Sequence, residues 1–294
     1  MSAGGGSVPL DEASFNRTED ASGGRRGGAS TPELLVPRPA EWFLGGFHRF
    51  LQPYLRRHFH SIALDRDSRP EPGFAEDAPL IVYANHPSWW DPLVAHFLHR
   101  KLFPDRHFFA PIDADALEQY SVFAKLGFYG VRLSSVGGAA SFLKKSLSIL
   151  QHHDTAIWIT PEGRFADSRD HAAELMPGLA HLCRRSDRAV VLPLALEYVF
   201  WDERLPVCLV SLGKPMRCGE QPDWSKPDWA RHLTAELRAA QGRLAGLAVQ
   251  RSAAPFDNLL RGVSGGGWIY DSCRRIKAWM TGKSFKAEHG EQFR

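Results

Sequence analysis

Between Pro79 and Trp201 short apolar runs alternate with stretches whose apolar residues recur every third or fourth position. Apolar runs bounded by Gly, Pro or Asp read as strands, and the helical recurrence reads as amphipathic helix. Strands are therefore predicted at Leu80–Ala84, Arg106–Ile112, Phe128–Leu133, Thr155–Thr160, Ala189–Val199 and Val207–Leu212. Helices are predicted over Pro92–Lys101, Asp113–Leu126, Gly138–His152, Leu175–Arg185 and Trp229–Ala248. In Gly138–His152, for instance, Phe142, Leu143, Leu147 and Leu150 form one stripe. Such alternation argues for an α/β fold: a single domain with a mixed, largely parallel sheet flanked by helices, placed at residues 76–250.

The flanks have other textures. Residues 1–34 are rich in Gly, Ser and charge, hold few apolar anchors, and read as a disordered tail. Within residues 35–75, Trp42, Phe43, Phe47, Phe50, Leu51, Tyr54 and Leu55 recur at helical spacing, followed by Arg56, Arg57 and His58. An amphipathic helix is expected there, either packed on the core or lying in a lipid interface. The extension 251–294 interleaves Arg274, Arg275, Lys277, Lys283 and Lys286 with Trp268, Ile269, Trp279 and Phe285. That mixture suits an anionic membrane surface or, equally, a solvated helical face.

Composition narrows the class of partner. The 294 residues carry a formal charge of only +3, which leaves no electrostatic footprint for nucleic acid. Cys183, Cys208, Cys218 and Cys273 form no CxxC pair, so buried thiols in a reducing compartment are expected rather than a disulfide scaffold. The longest apolar stretch, Ala189 to Trp201, contains Pro193 and Glu197 and falls short of the roughly 20 residues a bilayer span needs. No signal-peptide order is visible at the N-terminus. A membrane would then be met peripherally, from its cytoplasmic face.

Four segments carry candidate chemistry. Asn85-His86-Pro87-Ser88-Trp89-Trp90-Asp91 follows a predicted buried strand, where α/β sheets present reactive groups. An imidazole can take a proton from an alcohol, and a nearby carboxylate can fix its tautomer. Thr160-Pro161-Glu162-Gly163-Arg164 ends another strand, with a glycine for close approach and a guanidinium fork for phosphate. Gly127-Phe128-Tyr129-Gly130-Val131-Arg132 delivers a second arginine to the same sheet edge. Val191-Leu192-Pro193-Leu194 places a proline inside an apolar strand, as at a bulge or pocket wall. No HExxH zinc site and no GxxxxGK[ST] phosphate loop is present.

In order and separation these segments, from about Pro79 to Met216, resemble the glycerolipid acyltransferases of the lysophosphatidic acid acyltransferase type. That family carries NHxxxxD, Gly…Arg, PEG(T)R and proline-in-strand blocks. The resemblance implies a glycerol-3-phosphate acyltransferase-like fold and transfer of a fatty acyl group to a lysophospholipid such as 1-acylglycerol-3-phosphate. It makes His86 the general base, oriented by Asp91. Arg132, Glu162, Gly163 and Arg164 would bind the acceptor's head, and Pro193 would shape the acyl-donor side. Acyl-CoA or acyl carrier protein would be the donor, with no metal or bound cofactor.

The third block lacks the Thr found between Gly163 and Arg164, and Met176 stands where the family has lysine. These departures admit another acceptor, such as a glycolipid, carotenoid glycoside or amino-acid lipid. A non-catalytic lipid-binding protein on the same fold is the remaining alternative. For one pocket to hold them all, the arginines should face the cavity that holds His86 and Asp91.

Overall fold

A computed structural model gives the fold and describes residues 34–132, 136–263 and 292–293. The strands are β1 (Ser61–Asp65), β2 (Leu80–Ala84), β3 (His107–Asp113), β4 (Phe128–Val131), β5 (Thr155–Ile159), β6 (Val190–Val199), β7 (Val207–Leu212), β8 (Met216–Arg217) and β9 (Phe256–Arg261). The helices are α1 (Glu41–His58), α2 (Asp91–Leu102), α3 (Ala114–Gln119), α4 (Val122–Lys125), α5 (Val136–Ile149), α6 (Pro177–Arg184) and α7 (Lys226–Val249). One sheet runs β4-β3-β5-β2-β6-β7-β1-β9, with β8 beside β6. The pairs β4–β3, β3–β5, β5–β2, β2–β6 and β7–β1 are parallel, whereas β6–β7, β6–β8 and β1–β9 are antiparallel. The expected single α/β domain with a mixed, mostly parallel sheet is the observed one.

Parallel strands must be covered on both faces, and β2 shows how. Leu80, Val82 and Ala84 pack with Leu51 and Leu55 of α1 and Val94 and Leu98 of α2. Ile81 and Tyr83 turn the other way, toward Ile149 of α5, Leu182 of α6 and Trp229 and Leu237 of α7. Because β2 and β5 are parallel neighbours, Tyr83 opposite Ile159, the loops after both strands leave the sheet at one edge.

Two expectations change. The helix expected over Asp113–Leu126 is two short helices: Asp113 caps α3, and Tyr120 leaves helical geometry before α4 begins. Gly127, at φ +94°, then turns the chain into β4; a Cβ there would lie 2.1 Å from the Phe108 carbonyl oxygen. The sheet also recruits β1 and β9, from outside residues 76–250, so the α/β architecture extends on both sides of those bounds. The basic and aromatic residues Trp268 to Lys286 lie outside the described residues, as do 1–33. Cys183, Cys208 and Cys218 are buried free thiols. Among the described residues no helix is long and apolar enough to cross a membrane.

The buried face of α2 carries two histidines. His99 donates Nε2–H to the Arg106 carbonyl at 2.7 Å and accepts the Trp158 indole N–H on Nδ1 at 3.2 Å, an arrangement that fixes it neutral. Burial pulls it down to about 4. His96 stacks on Phe108 at 3.9 Å with neither ring nitrogen hydrogen-bonded, and burial holds it well below its ordinary value. In the unfolded chain both rings take up protons near pH 6.5, whereas in the fold His99 resists until pH falls to about 4 and burial holds His96 neutral well below its ordinary range. Stability should therefore fall as pH drops from 6.5 toward 4, by about 1.4 kcal/mol per unit for each ring. Urea titrations at pH 7 and pH 5 should show a smaller difference for His96→Leu and His99→Gln than for the parent. An equal difference in all three proteins would exclude the histidines as its cause.

Candidate active site

The site begins where β2 ends. Asn85, buried at 1% exposure, donates Nδ2–H to the Leu196 carbonyl at 2.9 Å and accepts the Leu196 N–H at 2.8 Å. Its amide extends the β2–β6 ladder by one rung made from a side chain, and pins the chain as it leaves the sheet. The next residue is His86. Its Nδ1 lies 2.6 Å from Oδ2 of Asp91, the first residue of α2, where Pro92 suits the opening turn.

A carboxylate only accepts, so Nδ1 carries the hydrogen and Nε2 is left with its lone pair. Asp91 is itself held. Oδ2 also accepts the Ser88 N–H at 3.0 Å, and Oδ1 accepts the Tyr198 hydroxyl at 2.6 Å. Burial and the Asp91 charge push the Tyr198 phenol well up, so it remains a donor.

The loop after β5 braces this pair from behind. Glu162 Oε2 accepts the backbone N–H of His86 at 3.0 Å, and the Ala166 N–H donates to the His86 carbonyl at 3.0 Å. On its other oxygen Glu162 takes Arg238 of α7 at 2.9 Å, and the pair is nearly excluded from solvent. Arg238 also donates to Gln241 at 2.6 Å and to the Ala173 carbonyl. Glu162 is thus committed to the protein. Gly163 turns at φ +64°, where a Cβ would stand 2.5 Å from the Met176 sulfur. Phe165 lays its ring 4.4 Å from that of His86.

A cavity of about 510 Å³ opens at His86 and Asp91. It runs between α2, β3, β4, α5 and α6, with Phe108, Phe128, Phe142, Leu143 and Trp158 in its walls and Met176 and Gly163 beside its polar end. The two arginines are placed elsewhere. Arg132, 69% exposed along its side chain, lies 3.9 Å from Glu118; Arg164, 60% exposed, lies 3.5 Å from Asp170. Neither lines the cavity, so the expectation that both face it is corrected. The physical reason is local: each extends from a strand-end loop into water and meets a surface carboxylate there. Pro193 sits in β6 opposite Tyr83, accepting the Gly213 N–H at 2.9 Å, and does not line the cavity either.

Tyr198 and Arg238, which hold Asp91 and Glu162, are positions that sequence reasoning passes over. Tyr198 closes an apolar strand and reads as core. Arg238 lies beside the apolar stripe Leu233, Leu237 and Leu244 and reads as a solvated helix face. No spacing rule links position 238 to position 162.

Residues 56–197 match the family model for acyltransferases, the family of glycerolipid acyltransferases. The matched span contains the His86–Asp91 pair and most of the strands around it, so the chain carries an acyltransferase domain and is an acyltransferase enzyme. A comparison with curated proteins found no match.

Three substitutions test this geometry. Asp91→Asn offers an amide to Nδ1 and should lower kcat by about 10³–10⁴-fold, as loss of the orienting carboxylate does in serine hydrolases. Circular dichroism should be unchanged, and a folded variant with parental kcat would refute the orienting role. Arg238→Met leaves Glu162 buried without its cation and should cost about 3–5 kcal/mol in urea unfolding. Adding Glu162→Gln should restore part of that loss, because an amide oxygen still accepts the His86 N–H; strict additivity would argue against the coupling.

Proposed function

We propose that the protein moves a fatty acyl group from an acyl thioester to a hydroxyl of an amphiphilic lipid, a lysophospholipid such as 1-acylglycerol-3-phosphate being the reference acceptor. The observation that carries the reading is the 2.6 Å His86–Asp91 bond at the mouth of an apolar cavity. Nε2 of His86 removes the acceptor's hydroxyl proton, and the alkoxide attacks the thioester carbonyl. The tetrahedral carbon expels the thiolate as its C–S bond breaks, and the imidazolium returns the proton to sulfur. Asp91 stabilises the imidazolium while it exists. The apolar walls suit an acyl chain, whose burial contributes roughly 0.8 kcal/mol per methylene. The donor is acyl-CoA or acyl carrier protein, with no cofactor of the enzyme's own.

Replacing His86 by Ala removes the only group this reading assigns as base. Donor consumption, followed with acyl-CoA and with acyl carrier protein against a panel of lipid acceptors, should fall by at least about 10²–10⁴-fold. Undiminished turnover in a folded variant would overturn the mechanism, and the absence of turnover with every donor and acceptor would favour a lipid-binding role. A second reading, with an acceptor other than a lysophospholipid, is favoured by one observation. Arg132 and Arg164 stand outside the cavity beside Glu118 and Asp170, and Met176 beside its polar end adds no charge.

The reading includes a peripheral place on the cytoplasmic face of a membrane. On α1, Leu51 and Leu55 face the core while Trp42 is 76% and Phe50 62% exposed, with Arg49, Arg56 and Arg57 on the same helix. Aromatic rings beside basic residues suit an anionic interface. Trp42→Glu with Phe50→Glu should reduce co-sedimentation with phosphatidylglycerol vesicles while leaving the melting temperature near the parent's; equal sedimentation would remove α1 from the membrane contact.

A further inference from the structure

Strand β6 serves two faces. Leu196 holds Asn85, and Tyr198 holds Asp91, so both are tied to the catalytic loop. Between them Glu197 points the other way, as strand alternation requires. There a second recess of about 490 Å³ opens, lined by Pro87, Asp167, Arg169, Glu197, Phe200 and Arg251 among others. His86 thus lines one hollow and its sequence neighbour Pro87 the other.

The chemistry of this second recess differs from that of the acyl cavity. Arg169 is already taken by Asp167 in a two-pronged pair at 2.8 and 2.7 Å, and Arg251 by Asp202 at 3.1 Å. The half-buried side chain of Glu197 has neither a hydrogen bond nor a salt bridge among the described residues. Burial pushes its carboxyl up, partly offset by the Arg169 charge. A half-buried carboxylate without a protein donor keeps its acceptor sites open to a ligand's hydroxyl groups. Beside it Phe200 holds its ring 65% exposed.

Charge selects among ligands. The lining acids Asp167 and Glu197 balance the lining bases Arg169 and Arg251, so the recess favours neither anion nor cation. A phosphate would meet the unpaired Glu197 carboxyl with both guanidinium groups already engaged, a repulsive element against that head. Hydroxyl groups would instead donate to Glu197 and to the outer oxygens of Asp167. The flat apolar face of a sugar ring would rest on Phe200.

We infer that this recess binds the head of the acceptor lipid, and that the head is an uncharged polyhydroxyl group of glycosyl type whose reacting hydroxyl reaches His86 across Pro87. The inference rests on the acyl-transfer reading above and specifies its acceptor.

The test uses the full chain with one acyl-CoA donor and two acceptors of matched chain length, dodecyl β-glucoside and lysophosphatidic acid. The glucoside should give the higher kcat/KM by about tenfold or more, the discrimination expected of one hydrogen bond to a charged group. Glu197→Gln should raise KM for the glucoside by about tenfold with a smaller change in kcat. Phe200→Ala, at an exposed position that spares the fold, should raise it too. Preference for lysophosphatidic acid, or a glucoside KM that neither substitution moves, overturns the recess while leaving acyl transfer standing. No His86-dependent turnover with either acceptor would instead overturn acyl transfer itself, and this inference with it.

Discussion

The hydrogen bond from His86 Nδ1 to Asp91 decides what the fold has to accomplish. An imidazole free to rotate would present either nitrogen, in either tautomer, and would be a base only part of the time. Fixing it takes a carboxylate that is itself immobile. Asp91 meets that need through three donors: the imidazole, the Ser88 amide and the Tyr198 hydroxyl. Two of these come from the loop after β2 and one from β6, and the acceptor itself opens α2, so the bond exists only when β2, α2 and β6 are assembled. Asn85 sets the starting point by locking the end of β2 to Leu196.

The same logic explains the place of the second loop. Parallel pairing of β2 with β5 brings Pro161–Ala166 beside His86, and Glu162 fastens the two loops through a backbone amide. A buried carboxylate is costly unless paired, and Arg238 supplies the pair from a helix that is remote in sequence. The long helix α7 covers the sheet and also neutralises the charge that braces the loop carrying His86. A motif glutamate that looks like a substrate ligand is, in the fold, a structural fastener.

How much could be read from the chain follows from the range of each interaction. Leu80–Ala84 and Val207–Leu212 are legible to the residue because a fully buried strand is a mostly apolar run, bounded here by Pro79 and Asn85 and by Pro206 and Gly213. The short strand Ser61–Asp65 lies between α1 and a polar loop, and Phe256–Arg261 is an edge strand of mixed exposure; neither gives so plain a signal. At the site, His86 and Asp91 are five residues apart and announce themselves. Tyr198 and Arg238 meet their partners across 107 and 76 positions, and only the tertiary fold reveals them. The arginines mark the opposite failure: Arg132 and Arg164 have the right residue type at the right strand ends, but a strand end fixes where a Cα lies and leaves a long side chain free to choose water.

That choice bears on the acceptor. In an enzyme built to clamp a phosphate, arginines would be expected to converge on the reacting centre, since desolvated guanidinium groups bind phosphate far better than solvated ones. Here the guanidinium groups around the catalytic end each have a nearby carboxylate: Glu118, Asp170, Asp167 and Asp202. Arg238, the most buried of them, is spent on Glu162. The half-buried carboxylate at the same end that lacks such a partner is Glu197, on the far face of the strand that orients the dyad. Leu196 of β6 lines the apolar cavity and Glu197 the more polar recess, with His86 and Pro87 at the seam between them. An acyl transferase needs such a seam, because its two substrates join one greasy chain to one hydroxyl. On the proposed reading, the polarity of the recess, more than the identity of the motif arginines, determines which hydroxyl is presented.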